Sequence, residues 1–321
     1  MTAHNMTQDL TQNTSPESSR RGFLASTAMG AMAATTAALS STEAQAQATR
    51  AAPTAEIVGK EHWAIKKVAG QDVRLFMWNK KLRNPSAAPS RGTLVFVHGS
   101  SVSSTPVFDL QIPGRIEAST MDWFARLGYD TWCFDCEGYD RSDKTRNMNA
   151  TIAEGADDIT VMSEYILKAS GSKKALFYGS SSGALRAALF AQRHPEHVSR
   201  LALDAFVWTG EGSPTLAERK KKLDVYRANN RRPIDRAMIR SIFTRDHPGT
   251  SDLTIVDAFA DAVLALDTSV PTGTYKLPNG DKQFIVMPGI AHTSTRSKNF
   301  ALVYHLLEGF FSQPEPVYTG A

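Results

Sequence analysis

The sequence predicts an α/β fold: a doubly wound, mostly parallel sheet carrying a helical cap insertion. Three observations predict it. Apolar runs of strand length, at residues 93–97, 130–134, 175–178 and 201–203, alternate with segments of helical periodicity, the pattern of successive βαβ units. The pentad Gly179-Ser180-Ser181-Ser182-Gly183 stands between one of these runs and a helical segment. After Trp208 the alternation gives way to a Lys/Arg-rich helical stretch, and an apolar run, Phe284-Ile285-Val286-Met287, resumes it.

The elements follow in order. Residues 62–67 and 73–78 read as an antiparallel pair around the turn Ala69-Gly70-Gln71-Asp72. Thr93-Leu94-Val95-Phe96-Val97 reads as a buried strand, and residues 121–127 as a short helix closed by Gly128. A strand at 130–134 ends at Asp135. Residues 152–169 carry Ile159, Met162, Tyr165 and Ile166 at helical spacing. Next come the strand before Ser181, the helix Ala184–Ala191 and the strand Leu201-Ala202-Leu203. Residues 213–266 are expected to be largely helical, within a cap spanning about 209–270. A final amphipathic helix carries Phe300, Val303, Leu307 and Phe310, and His305 on it reads as structural.

The first 48 residues read as an address rather than as fold. Ser19-Arg20-Arg21-Gly22-Phe23-Leu24 resembles the twin-arginine export pattern, followed by an Ala/Thr/Gly-rich stretch and small-x-small sites at Ala44-Gln45-Ala46 and Ala46-Gln47-Ala48. The expectation is a bacterial protein handed folded to the twin-arginine machinery and delivered to the periplasm or beyond. The leader is poor in Leu and Ile, so no permanent membrane span is expected. Residues 49–321 remain, enough for one α/β domain with an insertion. The net charge of +4 gives no ground for nucleic-acid binding. Cys133 and Cys136 are the two cysteines. They span a strand and the turn after it, where an extended chain separates i and i+3 by roughly 10 Å, too far for a disulfide unless the turn folds sharply. They read as structural.

The pentad carries the chemistry. A G-x-S-x-G turn between strand and helix holds its central residue in a strained conformation and exposes its hydroxyl above a helix amino terminus. Ser181 alone has glycines at −2 and +2, although Ser180 and Ser182 flank it. A serine hydroxyl needs a base to become a nucleophile, and His292, in a loop just after the last apolar run, suits that role.

Three further blocks resemble the α/β-hydrolase family over nearly all of the chain beyond the leader. Val97-His98-Gly99-Ser100-Ser101 resembles the turn after the family's third strand. Residues 135–142, Asp-Cys-Glu-Gly-Tyr-Asp-Arg-Ser, resemble its D-x-x-G-x-G-x-S turn, with Asp140 in place of the second glycine. Met287-Pro288-Gly289-Ile290-Ala291-His292 resembles the strand end that presents the catalytic histidine. The resemblance implies Ser181 as nucleophile and His292 as base. It implies oxyanion donors from the backbone N–H of Ser182 and of Ser100 or Ser101. His98 would shape its loop without acting as the base.

One part of the pattern is missing. The family usually takes its acid from the end of a seventh strand, and residues 267–281 hold no β-rich segment; the join at Tyr275-Lys276 reads as a deletion. Asp204, at the end of the strand after the pentad and 23 residues beyond Ser181, is the substitute acid, with Asp267 and Asp281 as weaker alternatives. The last strand, residues 284–287, is expected to pair directly beside Leu201–Leu203, because unpaired backbone groups in a core are costly.

The expected function is a secreted serine hydrolase that cleaves a small or medium carboxylic ester, without cofactor or metal. A carbon–carbon bond hydrolase with the same triad, and a catalytically impaired binding protein, remain the alternatives.

Overall fold

The computed structural model describes residues 56–88, 90–206, 220–244, 248–272, 292 and 294–313. The leader, the Tyr275-Lys276 join, Asp281 and the run at 284–287 lie outside the described residues.

The chain opens with a long hairpin, β1 (Ile57–Val68) and β2 (Gln71–Leu82), paired along their whole length. Both strands are longer than expected, and the turn is shorter. Ala69 and Gly70 alone form it, with φ of 48° and 79°. Two consecutive residues with positive φ match the right-handed twist of the flanking strands, so Gln71 and Asp72 are free to enter the ladder. The alternating polar face of β1 is exposed to solvent, which weakens its apolar signal in the sequence.

The other strands are β3 (Thr93–Val97), β4 (Asp130–Phe134), β5 (Ala175–Ser180) and β6 (Val198–Asp204). The sheet order is β1-β2-β4-β3-β5-β6, with β4, β3, β5 and β6 parallel. Helices α1 (Ser104–Phe108) and α2 (Thr120–Arg126) lie between β3 and β4, α3 (Ile152–Ser170) between β4 and β5, and α4 (Ser182–Arg193) between β5 and β6. Ser119 caps α2 by accepting from the Asp122 N–H, Thr151 caps α3 by accepting from the Glu154 N–H, and Gly171 closes α3 at φ 71°.

Successive strand residues point to opposite faces, and the two cores show it. Val95, Val97, Phe134, Ala175 and Phe177 pack with Ile159, Met162 and Ile166 of α3 and Phe190 of α4. Leu94, Phe96, Cys133, Leu176 and Tyr178 pack on the other face with Met121 and Phe124 of α2. That second core also takes Tyr304 and Phe311 of the terminal helix, Phe300–Phe311. Each buried Val, Leu, Ile, Phe or Met among them contributes about 1.5–3 kcal/mol relative to exposure. Both faces are covered, as a doubly wound sheet requires. Among the described residues β6 is the last strand on its side; the expected pairing partner lies outside them.

The segment expected to form a cap holds, among its described residues, α5 (Leu223–Ala228), α6 (Arg236–Thr244) and α7 (Leu253–Leu266). It also holds an antiparallel ribbon that the helical reading lacked: β7 (Arg231–Pro233) pairs with β8 (Ser269–Pro271). Strands of three residues carry no periodic signal. A proline ends each of them and keeps the ribbon short, since it has no N–H for a ladder.

Candidate active site

The parallel strands run from β3 outward to β4, then back across to β5 and β6, so the connections reverse between β3 and β5. In open α/β sheets that reversal leaves a crevice at the strand carboxyl ends, where ligands bind. The turns after β3 and β5 are residues 98–101 and Ser181.

Ser181 has φ 57° and ψ −124°, a strained combination for a residue with a Cβ. Its neighbours enforce it. A Cβ on Gly179 would stand 2.7 Å from Ala184 Cα and from the Gly183 carbonyl oxygen. A Cβ on Gly183 would collide with the carbonyl oxygens of Val97 and His98. Both glycines are therefore required by close packing of α4 on β5 and β3. The Ser181 N–H donates to the Asp204 carbonyl (2.9 Å), which ties the turn to the end of β6. Ser181 remains half-buried at the start of α4, where backbone N–H groups favour negative charge. Ser182, the first residue of α4, is buried.

The turn after β3 lies against Ser181. A Cβ on Gly99 would sit 3.2 Å from Ser181 Cβ and 3.7 Å from its Oγ. His98 is fully buried. Its Nε2 accepts from the Cys136 N–H (3.0 Å), so Nδ1 carries the proton and donates to the Gly99 carbonyl (2.7 Å). Burial, reinforced by the Arg186 charge, pushes its pKa down to about 3. A neutral ring with both nitrogens engaged shapes the loop, as the resemblance implies. The Ser100 carbonyl accepts from the Tyr139 hydroxyl (3.0 Å) and from Arg232 Nη2 (3.0 Å), and Arg232 Nη2 also donates to Ser101 Oγ (2.8 Å).

Asp204 closes β6, in register with Ser180. Its Oδ2 accepts from the Tyr178 hydroxyl (2.7 Å) and the Ser294 hydroxyl (2.8 Å). Burial raises its carboxyl above the ordinary range, while those two hydroxyls and the charge of His292 act in the opposite sense. His292 is half-buried, and its ring, when protonated, favours the Asp204 carboxylate. Two residues beyond Ser294, buried Arg296 donates to the carbonyls of Pro106, Val107 and Ala118 and anchors the segment that follows His292.

The chain matches the family described as alpha/beta hydrolase fold over residues 92–229. The fold is the α/β-hydrolase fold. No curated protein matches the chain. Solved structures are similar at low identity. A hydrolase from Agrobacterium vitis S4 shares 16% identity at a TM-score of 0.38, covering 56% of this chain and 64% of that one. A thioesterase domain from the curacin biosynthetic pathway shares 16% at 0.39, covering 62% and 64%. A carboxylesterase structure from Nitrososphaera gargenis shares 14% at 0.43, covering 65% and 73%. The chain thus spans less than two thirds of the first two.

Within the α/β-hydrolase fold, the turn after β4 holds a feature the sequence did not announce. Asp140, in place of a glycine, takes φ 33°, and its N–H donates to Asp267 Oδ2 (2.9 Å). Asp267 also accepts from Lys144 (2.6 Å), so its carboxylate is engaged at that turn. Beside it Asp135 is fully buried, and its Oδ1 accepts from Ser104 N–H (2.8 Å) and hydroxyl (2.7 Å). Burial and the Asp140 charge push the Asp135 pKa up to about 7. The folded protein therefore holds a proton there that the unfolded chain releases near pH 4. The stability tied to it is present below that pH and is lost as pH rises through 7. Asp135→Asn keeps the acceptor for Ser104 and never ionises. Thermal melts should show little difference from wild type at pH 4, and a gain of at least about 2–4 °C at pH 8, what ~1 kcal/mol gives a domain of this size. A gain independent of pH would contradict the assignment.

The two cysteines are free and buried. Burial raises the Cys133 thiol well above its usual range and the Cys136 thiol to about 12. Neither is a thiolate at neutral pH. Among the described residues one trio, His194, Glu196 and His197, brings three metal-ligating atoms within 4.8 Å of one another. It lies at the opposite end of α4 from Ser181, about 18 Å away along twelve helical residues.

Sequence reasoning named Ser181, His98, Asp204 and His292. It missed Tyr178 and Ser294 on Asp204, Tyr139 and Arg232 on the Ser100 turn, and Arg296. Their partners are remote in the chain, Arg232 lying 132 residues from Ser100, and no spacing rule reaches that far.

Proposed function

We propose that this hydrolase-fold protein is a serine hydrolase that cleaves a small or medium carboxylic ester through an acyl-enzyme on Ser181. The strained Ser181 backbone, enforced by the packing at Gly179 and Gly183, carries this reading. His292 takes the Ser181 proton as the hydroxyl oxygen attacks the ester carbonyl, and later gives it to the leaving alcohol. Asp204 accepts a hydrogen bond from His292, and the imidazolium that forms is stabilised by its charge. Tyr178 and Ser294 both donate to Oδ2 of that carboxylate and hold it at the end of β6. Backbone N–H groups of Ser182 and of Ser100 or Ser101 receive the oxyanion. Water then attacks the acyl-enzyme with His292 again as base. No helix among the described residues is long and apolar enough to cross a membrane. The leader pattern at Arg20-Arg21 supports export by the twin-arginine route to the periplasm or beyond, which Lys replacements at both arginines should abolish in cell fractionation.

The test is labelling by a fluorophosphonate, with peptide mapping, beside a screen of nitrophenyl esters of increasing acyl length. One label per chain, on Ser181, and turnover of the shorter esters are expected. A folded protein that takes no label would instead favour the binding-protein reading.

A further inference from the structure

We propose that Arg232, contributed by the cap, is a positioning residue for the oxyanion turn: it holds the Ser100 peptide so that the turn presents its N–H groups to the carbonyl attacked by Ser181. This rests on the serine-hydrolase reading. In a trans peptide the N–H points opposite to the C=O. The Gly99 carbonyl is drawn to His98, which fixes the direction of the Ser100 N–H. The Ser100 carbonyl is drawn to the Tyr139 hydroxyl and Arg232, which fixes the direction of the Ser101 N–H. Two consecutive peptide planes are thus pinned by their carbonyls. The glycine between His98 and Ser100 packs on the nucleophile itself.

Of these anchors, His98 and Tyr139 belong to the sheet-end turns, whereas Arg232 reaches in from β7 of the cap. Its second hydrogen bond, to Ser101 Oγ, grips the next residue as well. Arg146, Arg236 and Arg240 pair with carboxylates. Among the described residues no carboxylate lies within 4.0 Å of the Arg232 guanidinium, and its contacts are neutral oxygens. A cation held on the carbonyl side of the turn strengthens the polarisation of those peptides toward a developing negative charge. The neighbouring Arg231 serves the ribbon instead, donating to Ser269 O (2.6 Å) and Gly138 O (3.1 Å).

The test compares wild type, Arg232→Lys and Arg232→Met in the full-length protein, with active sites counted by fluorophosphonate titration. The readouts are ester kinetics per titrated site, the labelling rate, and inhibition by an aryl boronate that mimics the tetrahedral adduct. Arg232→Met should lose about 10–100-fold in kcat, somewhat less than removal of an oxyanion donor. Boronate affinity and labelling rate should fall by a similar factor, with KM within about threefold, because ground-state binding is untouched. Arg232→Lys should recover part of the loss. A merely structural role would lower the folded fraction and leave kcat per titrated site unchanged, which would overturn the proposal. So would a rise in KM confined to anionic esters, which would make Arg232 a substrate anchor. Wild type that takes no label at all would overturn the hydrolase reading and this inference with it.

Discussion

Replacing Ser181 by alanine is expected to abolish fluorophosphonate labelling and to lower ester turnover by about 10⁴-fold or more, ~5 kcal/mol of transition-state stabilisation. The variant isolates the chemistry. Alanine keeps the Cβ, so the positive-φ strain at 181 and the packing at Gly179 and Gly183 stay as they are. The Ser181 N–H still reaches the Asp204 carbonyl. Melting temperature and circular dichroism should match wild type, and only the hydroxyl is gone. Ser182→Ala gives the contrast: its side chain is buried in the first turn of α4, and turnover should persist. The opposite pattern, with Ser182→Ala dead and Ser181→Ala active, would show that the nucleophile had been misassigned.

Asp204→Asn is expected to cost about 10³–10⁴-fold in kcat with the fold intact. The amide oxygen still accepts from the Tyr178 and Ser294 hydroxyls, so the end of β6 keeps its anchors. What is lost is the negative charge facing His292. A neutral amide does not stabilise an imidazolium, and its NH₂ can turn the ring to the wrong tautomer. The measurement is kcat and KM over pH 5–9, with a thermal melt beside it. Near-normal kcat would rule Asp204 out and move the search to Asp281, because Asp267 is engaged with Lys144 and the Asp140 N–H.

The sheet was legible because its signals are local. A strand buried on both faces must be apolar throughout, and β3 is buried at every residue. The elbow was legible for a related reason: two glycines at fixed offsets have no purpose in an ordinary helix start, and here a Cβ at either one meets backbone atoms. The length of the hairpin and the existence of the β7–β8 ribbon were not legible. The first depends on a two-residue turn whose geometry comes from Ala69 as well as Gly70. The second depends on three-residue strands that are stable only in each other's company.

The sequence by itself determined the alternation that makes the doubly wound sheet and the residue at the centre of the elbow, while the shaping role of His98 was implied by the family resemblance. Hydrophobic period and glycine placement act within a few residues, so they can be read along the chain. Only the tertiary structure decided which groups surround these residues: Tyr178 and Ser294 on Asp204, Tyr139 and Arg232 on the Ser100 turn, and the Asp135–Asp140 pair with its raised pKa. Those contacts are hydrogen bonds and charges between segments up to 132 residues apart. Their strength comes from burial, and burial exists only once both faces of the sheet are covered.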